Sequence, residues 1–203
     1  MKTLVFDTCL DKMYVTLAEN KNILTSEIVE NTESKYHSAF LISTIKRILK
    51  KNNITPSDIN AIGTNIGPGS FTGIRACTTV ARIIGQQLNI PVAGVSSLEI
   101  LEKLAPHNPL VALDARKNSV YLRYNGITQD ATLIEKVKEI IKNGDYTVIT
   151  DDKSVGFLGG ISYQQEKYPL GDILSDIVYE KLKKDGHNWQ NLKPLYIQPP
   201  PGI

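Results

Sequence analysis

Leu4-Val5-Phe6-Asp7-Thr8-Cys9-Leu10-Asp11-Lys12-Met13-Tyr14-Val15-Thr16-Leu17 decides how this chain folds, because its pattern occurs twice. It is an apolar strand ending in Asp7, a polar turn over residues 8–12, and a second apolar strand. Leu110-Val111-Ala112-Leu113-Asp114 starts the pattern again, and Val120-Tyr121-Leu122-Arg123-Tyr124 completes it after the turn at 115–119. With the two aspartates aligned, Tyr14 falls on Tyr121. A strand–Asp–turn–strand unit at the head of each half predicts a duplicated α/β fold. Its two related lobes face each other across a cleft, with Asp7 and Asp114 at strand ends.

Working outward, Ile23–Val29 adds a third strand to the first meander, and a helix is expected from about Ser34 to Lys51, with Lys46, Arg47, Lys50 and Lys51 at the negative end of its dipole. A strand at Ala61–Ile66, the loop Gly67-Pro68-Gly69-Ser70, a helix to about Leu88, a strand at Pro91–Val95 and a short helix capped by Ser97 complete a β-β-β-α-β-α-β-α lobe. The predicted first lobe is 1–106 and the smaller second lobe 107–203. In the second, helices are expected near Leu133–Lys142 and Asp172–Lys184, with a strand at Tyr146–Thr150. The tail from Gln198 to Ile203, with three prolines in a row, fits neither regular helix nor sheet.

The 203 residues are 41% hydrophobic and 22% charged, the balance of a soluble globular protein. No apolar run approaches the roughly 20 residues that cross a membrane, and Asp7 arrives too early for a signal-peptide core. A cytoplasmic location is expected. Cys9 and Cys77 lie far apart and form no CxxC pair, so they read as free buried thiols of a reducing compartment. A net charge of +2 argues against a large basic nucleic-acid surface on this chain alone.

Gly67-Pro68-Gly69-Ser70-Phe71-Thr72-Gly73-Ile74-Arg75 joins a strand to a helix. Its glycines allow a tight turn, and Ser70 or Thr72 can cap the helix start. The same geometry can hold an anion, which makes Asp7, Gly69, Ser70 and Thr72 the candidate nucleotide or anion site. The spacing is not that of a Walker A loop, and no Lys follows.

The string GPGSFTGIR resembles the signature of the TsaB family, the small partner proteins of bacterial threonylcarbamoyladenosine synthesis on tRNA. Asp7-Thr8, His37-Ser38, Asp114-Ala115-Arg116, Val120-Tyr121 and Pro194-Leu195-Tyr196 agree with it in order, so the resemblance spans nearly the whole chain. It implies the duplicated ribonuclease-H-like fold of the actin-like ATPase superfamily. It further implies that a larger paralogue, TsaD, performs the transfer with a metal held by helix histidines. The small subunit binds TsaD, a P-loop ATPase called TsaE joins them, and tRNA is reached through the complex. In the family the first two helices form a bundle with the partner or with a second copy, so a homodimer is the alternative state of the same surface.

The residues give no catalytic set of their own. A helical metal pair needs two His one turn apart, but His37 has Glu33 and Leu41 at those positions. His107 and His187 stand alone, and no pattern ties Ser70 to a base as a peptidase would need. The turn Thr8-Cys9-Leu10-Asp11-Lys12 has no Gly and carries a second acid, which disfavours an autonomous actin-like ATPase or kinase. ATP or ADP enters the expectation only as a weak or interface-shared ligand. A chain that binds a partner is the better reading. Leu41, Ile42, Ile45, Ile48 and Leu49 form the core stripe of the first helix, leaving Tyr36, His37, Phe40, Thr44 and Arg47 for a partner. On the second helix, Phe71 and the small-residue row Gly73, Cys77, Ala81 are the matching candidates, with packing inside the lobe as the competing explanation for the row.

Overall fold

The computed structural model describes residues 1–30, 37–165, 168–184 and 187–197. Two compact units result. The first comprises Met1–Ser97 with Pro169–Leu195, the second Leu98–Tyr168 with Tyr196–Ile203. The first unit is built on β1 (Lys2–Asp7), β2 (Met13–Glu19), β3 (Asn22–Val29), α1 (Leu41–Lys51), β4 (Ala61–Asn65), α2 (Phe71–Leu88) and β5 (Val92–Val95). Its sheet has the order β3-β2-β1-β4-β5, antiparallel on the β3-β2-β1 side and parallel across β1-β4-β5.

Leu4 and Phe6 of β1 and Met13, Val15 and Leu17 of β2 meet Leu41, Ile45, Ile48 and Leu49 of α1 and Ile74, Cys77 and Ala81 of α2 in one core. The β1 residues of opposite parity point to the other face, as a period of two requires. That face is covered by a helix from the far end of the chain, which packs on all five strands. β4 is buried throughout, as befits a strand with helices on both sides.

In the second unit, α3 (Ser97–Glu102) leads into β6 (Pro109–Asp114), β7 (Ser119–Tyr124), β8 (Ile127–Thr128), β9 (Thr132–Leu133), α4 (Ile134–Lys142), β10 (Thr147–Thr150), α5 (Asp152–Leu158) and β11 (Ile161–Ser162). The sheet order β11-β10-β6-β7-β8, with β9 also on β7, repeats the first: an antiparallel hairpin, then parallel strands beside its first member. Leu110, Ala112, Val120 and Leu122 pack with Ile134 and Val137 of α4 and Leu158 of α5. Glu102 of α3 holds Arg123 of β7 at 3.0 Å. The two sheets therefore share the strand order and directions that the two strand–Asp–turn–strand units lead one to expect.

One detail of that repeat is corrected. Asp7 pairs with Tyr14, but Asp114 pairs with Val120, and Tyr121 sits opposite Leu113. The second turn is tighter because Arg116, Lys117 and Asn118 are all left-handed, with φ of 64°, 47° and 57°. The strand resumes one residue sooner. A one-residue slip moves every following side chain to the opposite face, so Val120, not Tyr121, holds the place of Tyr14.

A second correction concerns the last helix, α6 (Leu170–Leu182). Expected in the second lobe, it lies on the sheet of the first unit, while α3 from Leu98 onward groups with the second. Two glycines make this packing feasible. A Cβ on Gly63 of β4 would stand 2.7 Å from Val178 Cγ1 and 2.8 Å from Val5 Cγ1, and Gly171 of α6 lies against Thr16 and Tyr14 of β2. Val178 is fully buried and branched at its β carbon, so it cannot turn aside. Gly63→Ala is therefore expected to lower stability by about 1–3 kcal/mol through overpacking, read as a shift of the urea midpoint. Adding Val178→Ala should recover part of the loss, and a pair of variants whose effects simply add would refute the contact.

The first-lobe helix expected from Ser34 begins as α1 at Leu41, preceded by a 3-10 turn at His37–Phe40; residues 34–36 lie outside the described residues. Ile42, placed in the core stripe by periodicity, is 47% exposed, and Thr44 is buried in its stead. Among the described residues, no helix is long and apolar enough to cross a membrane.

Candidate functional site

The Gly67–Arg75 segment is held from three directions by buried polar groups. Asn65, the last residue of β4, accepts the Gly67 N–H on Oδ1 at 2.8 Å. Its Nδ2 donates to Asp7 Oδ2 at 2.9 Å and to Ser97 Oγ at 2.9 Å. The Ser97 hydroxyl in turn donates to the Pro68 carbonyl at 2.6 Å. Asp7 Oδ1 accepts the Cys9 N–H at 2.6 Å. Burial, partly offset by the Asn65 bond, pushes the Asp7 carboxyl up to about 6.

The loop then docks on the β1–β2 turn, backbone against backbone. Ser70 N–H donates to Cys9 O at 2.8 Å, and a Cβ on Gly69 or Gly73 would collide with the carbonyl of Cys9 or Thr8 respectively. The Thr8 hydroxyl donates to Gly73 O at 2.8 Å, and the Thr8 N–H to Cys77 Sγ at 3.1 Å. Ser70 caps α2, accepting the Gly73 N–H on its hydroxyl at 3.3 Å. Of the candidate anion residues, Asp7 is therefore buried and committed to the loop, Ser70 serves as the cap, and Gly69 and Thr72 are exposed. The turn does not fit a nucleotide phosphate. The Thr8 and Cys9 amides are already bonded inside the protein, and Thr8, Cys9 and Leu10 are buried.

The partner candidates divide. Gly73, Cys77, Ala81 and also Gly85 face inward, and Cys77 and Ala81 have no exposed surface. This corrects their assignment to a partner: the small-residue row lets α2 press onto the β1–β2 turn and, at Gly85, onto Val92. Thr44 is likewise removed, being 1% exposed. Phe40 is half-buried against the unit's own core. Tyr36 and the His37 side chain lie outside the described residues. Arg47 is exposed but reaches Glu27 of β3 with Nε at 3.1 Å and Nη2 at 2.5 Å. Phe71 is half-buried beneath the Arg75 guanidinium, 4.1 Å from the ring centre.

The solvent side of these two helices carries what the sequence reading missed. Ile42 on α1 and Ile83 on α2 are 47% and 54% exposed, and the same two helices also expose Lys46, Lys50, Arg75 and Arg82. The signal for Ile83 lay in the sequence: with Gly73, Cys77 and Ala81 on the inner row of α2, position 83 turns about 200° from position 81 at 100° per residue. His107 and His187 belong to different units.

Comparison with known proteins agrees with this architecture. The family described as "TsaD: tRNA N6-adenosine threonylcarbamoyltransferase" matches residues 22–163. A tRNA threonylcarbamoyladenosine biosynthesis protein TsaB of Buchnera aphidicola subsp. Schizaphis graminum is 33% identical over 147 residues, 68% of this chain and 68% of that protein. The protein of the same name in Bacillus subtilis is 31% identical over 124 residues, 60% of this chain and 53% of that one. The solved structure of YeaZ from Pseudomonas aeruginosa superposes with a TM-score of 0.76 at 23% identity, covering 96% of this chain and 99% of the other. The duplicated fold, the loop signature and these relatives together place the chain in the TsaB family.

Proposed function

We propose that this chain serves tRNA threonylcarbamoyladenosine biosynthesis as a subunit without transfer chemistry of its own. It docks on a TsaD-like catalytic subunit through the outer faces of α1 and α2. The observation that carries the reading is the pair of exposed isoleucines, Ile42 and Ile83, on the two helices that cover one side of the first sheet. Exposed apolar side chains on helices that also expose Lys46, Lys50, Arg75 and Arg82 suit a partner surface that offers apolar contacts and acidic groups. The absence of transfer chemistry is supported by where the polar groups go: Ser70 caps a helix, and Asp7 braces a loop. A TsaE-like ATPase and the tRNA are reached through the assembled complex in the cytoplasm.

The test mixes this chain with the TsaD-like protein of its own genome and measures binding by calorimetry. Ile42→Asp and Ile83→Asp should each weaken the complex by at least about 30-fold, the equivalent of about 2 kcal/mol at a desolvated contact. Thermal midpoints should stay near wild type, because both side chains already face solvent. Wild-type affinity in both variants would overturn the docking face. A lone chain that turns over ATP would overturn the non-catalytic reading.

A further inference from the structure

Cys9 and Cys77, 68 positions apart in the sequence, meet in the fold beside Asp7. One ligand atom of each, two sulfurs and a carboxylate oxygen, lies within 4.8 Å of the others, and all three residues are buried. Among the described residues no other trio of His, Cys, Asp or Glu comes together in this way. We propose that this cluster is a binding site for a single thiolate-seeking divalent cation of the zinc class.

The geometry fits with small adjustment. For three atoms mutually within 4.8 Å, some point lies within about 2.8 Å of all of them. Zinc–sulfur bonds are about 2.3 Å and zinc–oxygen bonds about 2.0–2.2 Å, so each ligand has to move by well under 1 Å. The Cys9 thiol donates to the Asn65 carbonyl at 3.5 Å, so a further oxygen lies beside one of the two sulfurs. Charge points the same way. The Asp7 carboxylate is fully enclosed and is bonded by the Asn65 amide, the backbone N–H groups of Cys9 and Leu10 and the Cys9 thiol, with no Lys, Arg or His among these partners. A buried carboxylate normally has a cation or shifts to its neutral form, and a metal would supply the missing charge. The ligands come from the β1–β2 turn and the inner row of α2, the same two backbones that Gly73 brings into contact. A bound ion would therefore fasten that junction.

The binding step balances as follows. One divalent cation enters, the thiol protons of Cys9 and Cys77 leave to solvent, and two metal–sulfur bonds and one metal–carboxylate bond form. No electron is transferred.

The experiment uses the full chain, reduced and stripped with a chelator, and titrates it with Co²⁺ as the optical probe and then with Zn²⁺. The expected result is a thiolate-to-cobalt charge-transfer band that saturates at one equivalent and is abolished by zinc. Two protons should be released per metal, and zinc should raise the thermal midpoint. Cys77→Ser and Cys9→Ser, which keep polar atoms in place, should each lose the band and the zinc-dependent shift. Should either variant fail to fold, thiol alkylation of the wild-type chain decides: zinc is expected to slow the modification of both cysteines together at least tenfold. No band, a band retained in both variants, or alkylation indifferent to zinc overturns the site.

Discussion

Gly73→Ala is expected to cost about 3 kcal/mol of stability, although intrinsic propensity alone favours Ala over Gly inside a helix by about 1 kcal/mol. The reversal comes from what stands opposite. A Cβ at 73 would overlap the Thr8 carbonyl oxygen and lie 2.7 Å from the Thr8 carbonyl carbon. Both sides are backbone, so no rotamer change relieves the clash. Thr8 is held by its bonds to Gly73 O and Cys77 Sγ, and α2 is held by the buried Ile74, Cys77 and Ala81. The collision therefore takes the upper end of the usual overpacking range. Gly156→Ala in α5 is the control, because a Cβ there meets nothing within 4 Å. It should be neutral or gain up to about 1 kcal/mol. Urea titrations of both variants with an unchanged m-value would isolate the stability term; wild-type stability in Gly73→Ala would mean that the turn and α2 do not meet in this way.

Asn65→Ala carries the second large effect, about 3–5 kcal/mol. Its amide is a shared partner of three buried groups, the Asp7 carboxylate, the Gly67 N–H and the Ser97 hydroxyl; without it the Gly67 N–H loses its acceptor, while Asp7 keeps only its other partners and Ser97 only Pro68 O. Each buried donor or acceptor left without a partner costs about 1–3 kcal/mol, and more when charged. A uniform loss of stability could come from a cavity alone. Hydrogen exchange distinguishes the two. The Gly67 amide should exchange at least tenfold faster in the variant under native conditions, while amides of β10 in the second unit keep their wild-type protection. Unchanged exchange at Gly67 would sink the bracing role of Asn65.

Much of the fold was legible because the signals were local and repeated. Val5 and Phe6 before Asp7, and Val111 to Leu113 before Asp114, announce the two hairpins, and α4, α6 and β10 lie within a few residues of where periodicity placed them. The short elements were not legible. α5 spans seven residues, too few to display a helical period, and its one signal was Asp151, whose side chain accepts the Ser154 N–H at 2.8 Å. Gly159 and Gly160, with φ of 71° and 92°, end that helix and admit the next strand beside Val148. The sheet that α6 covers was also beyond reach, because amphipathicity shows which side of a helix is apolar and not what it meets. Gly63 and Gly171 held that information, but only to a reader who already knew that the two would face each other.

The candidate site was legible in its loop and not in its support. Gly67 to Gly73 stands out as a string, but Asn65 and Ser97 are ordinary residues at the ends of separate segments, and only the parallel pairing of β1, β4 and β5 brings them to Asp7. The row Gly73, Cys77, Ala81 was visible, and its direction was not: small residues at every fourth position announce a close approach without saying whose backbone approaches.

The return of α6 to the first sheet has a consequence for the order in which the chain is made. β1, β2, β4 and β5 leave the ribosome within the first 95 residues, whereas the helix that covers their second face is not complete until residue 182. Throughout synthesis of the intervening second unit, Val5 and Gly63 present an uncovered apolar surface. The nascent chain must therefore carry a half-dressed sheet while the residues from 95 to 182 are made, a window in which a holdase chaperone has something to grip, and the window closes only when Val178 drops onto Gly63.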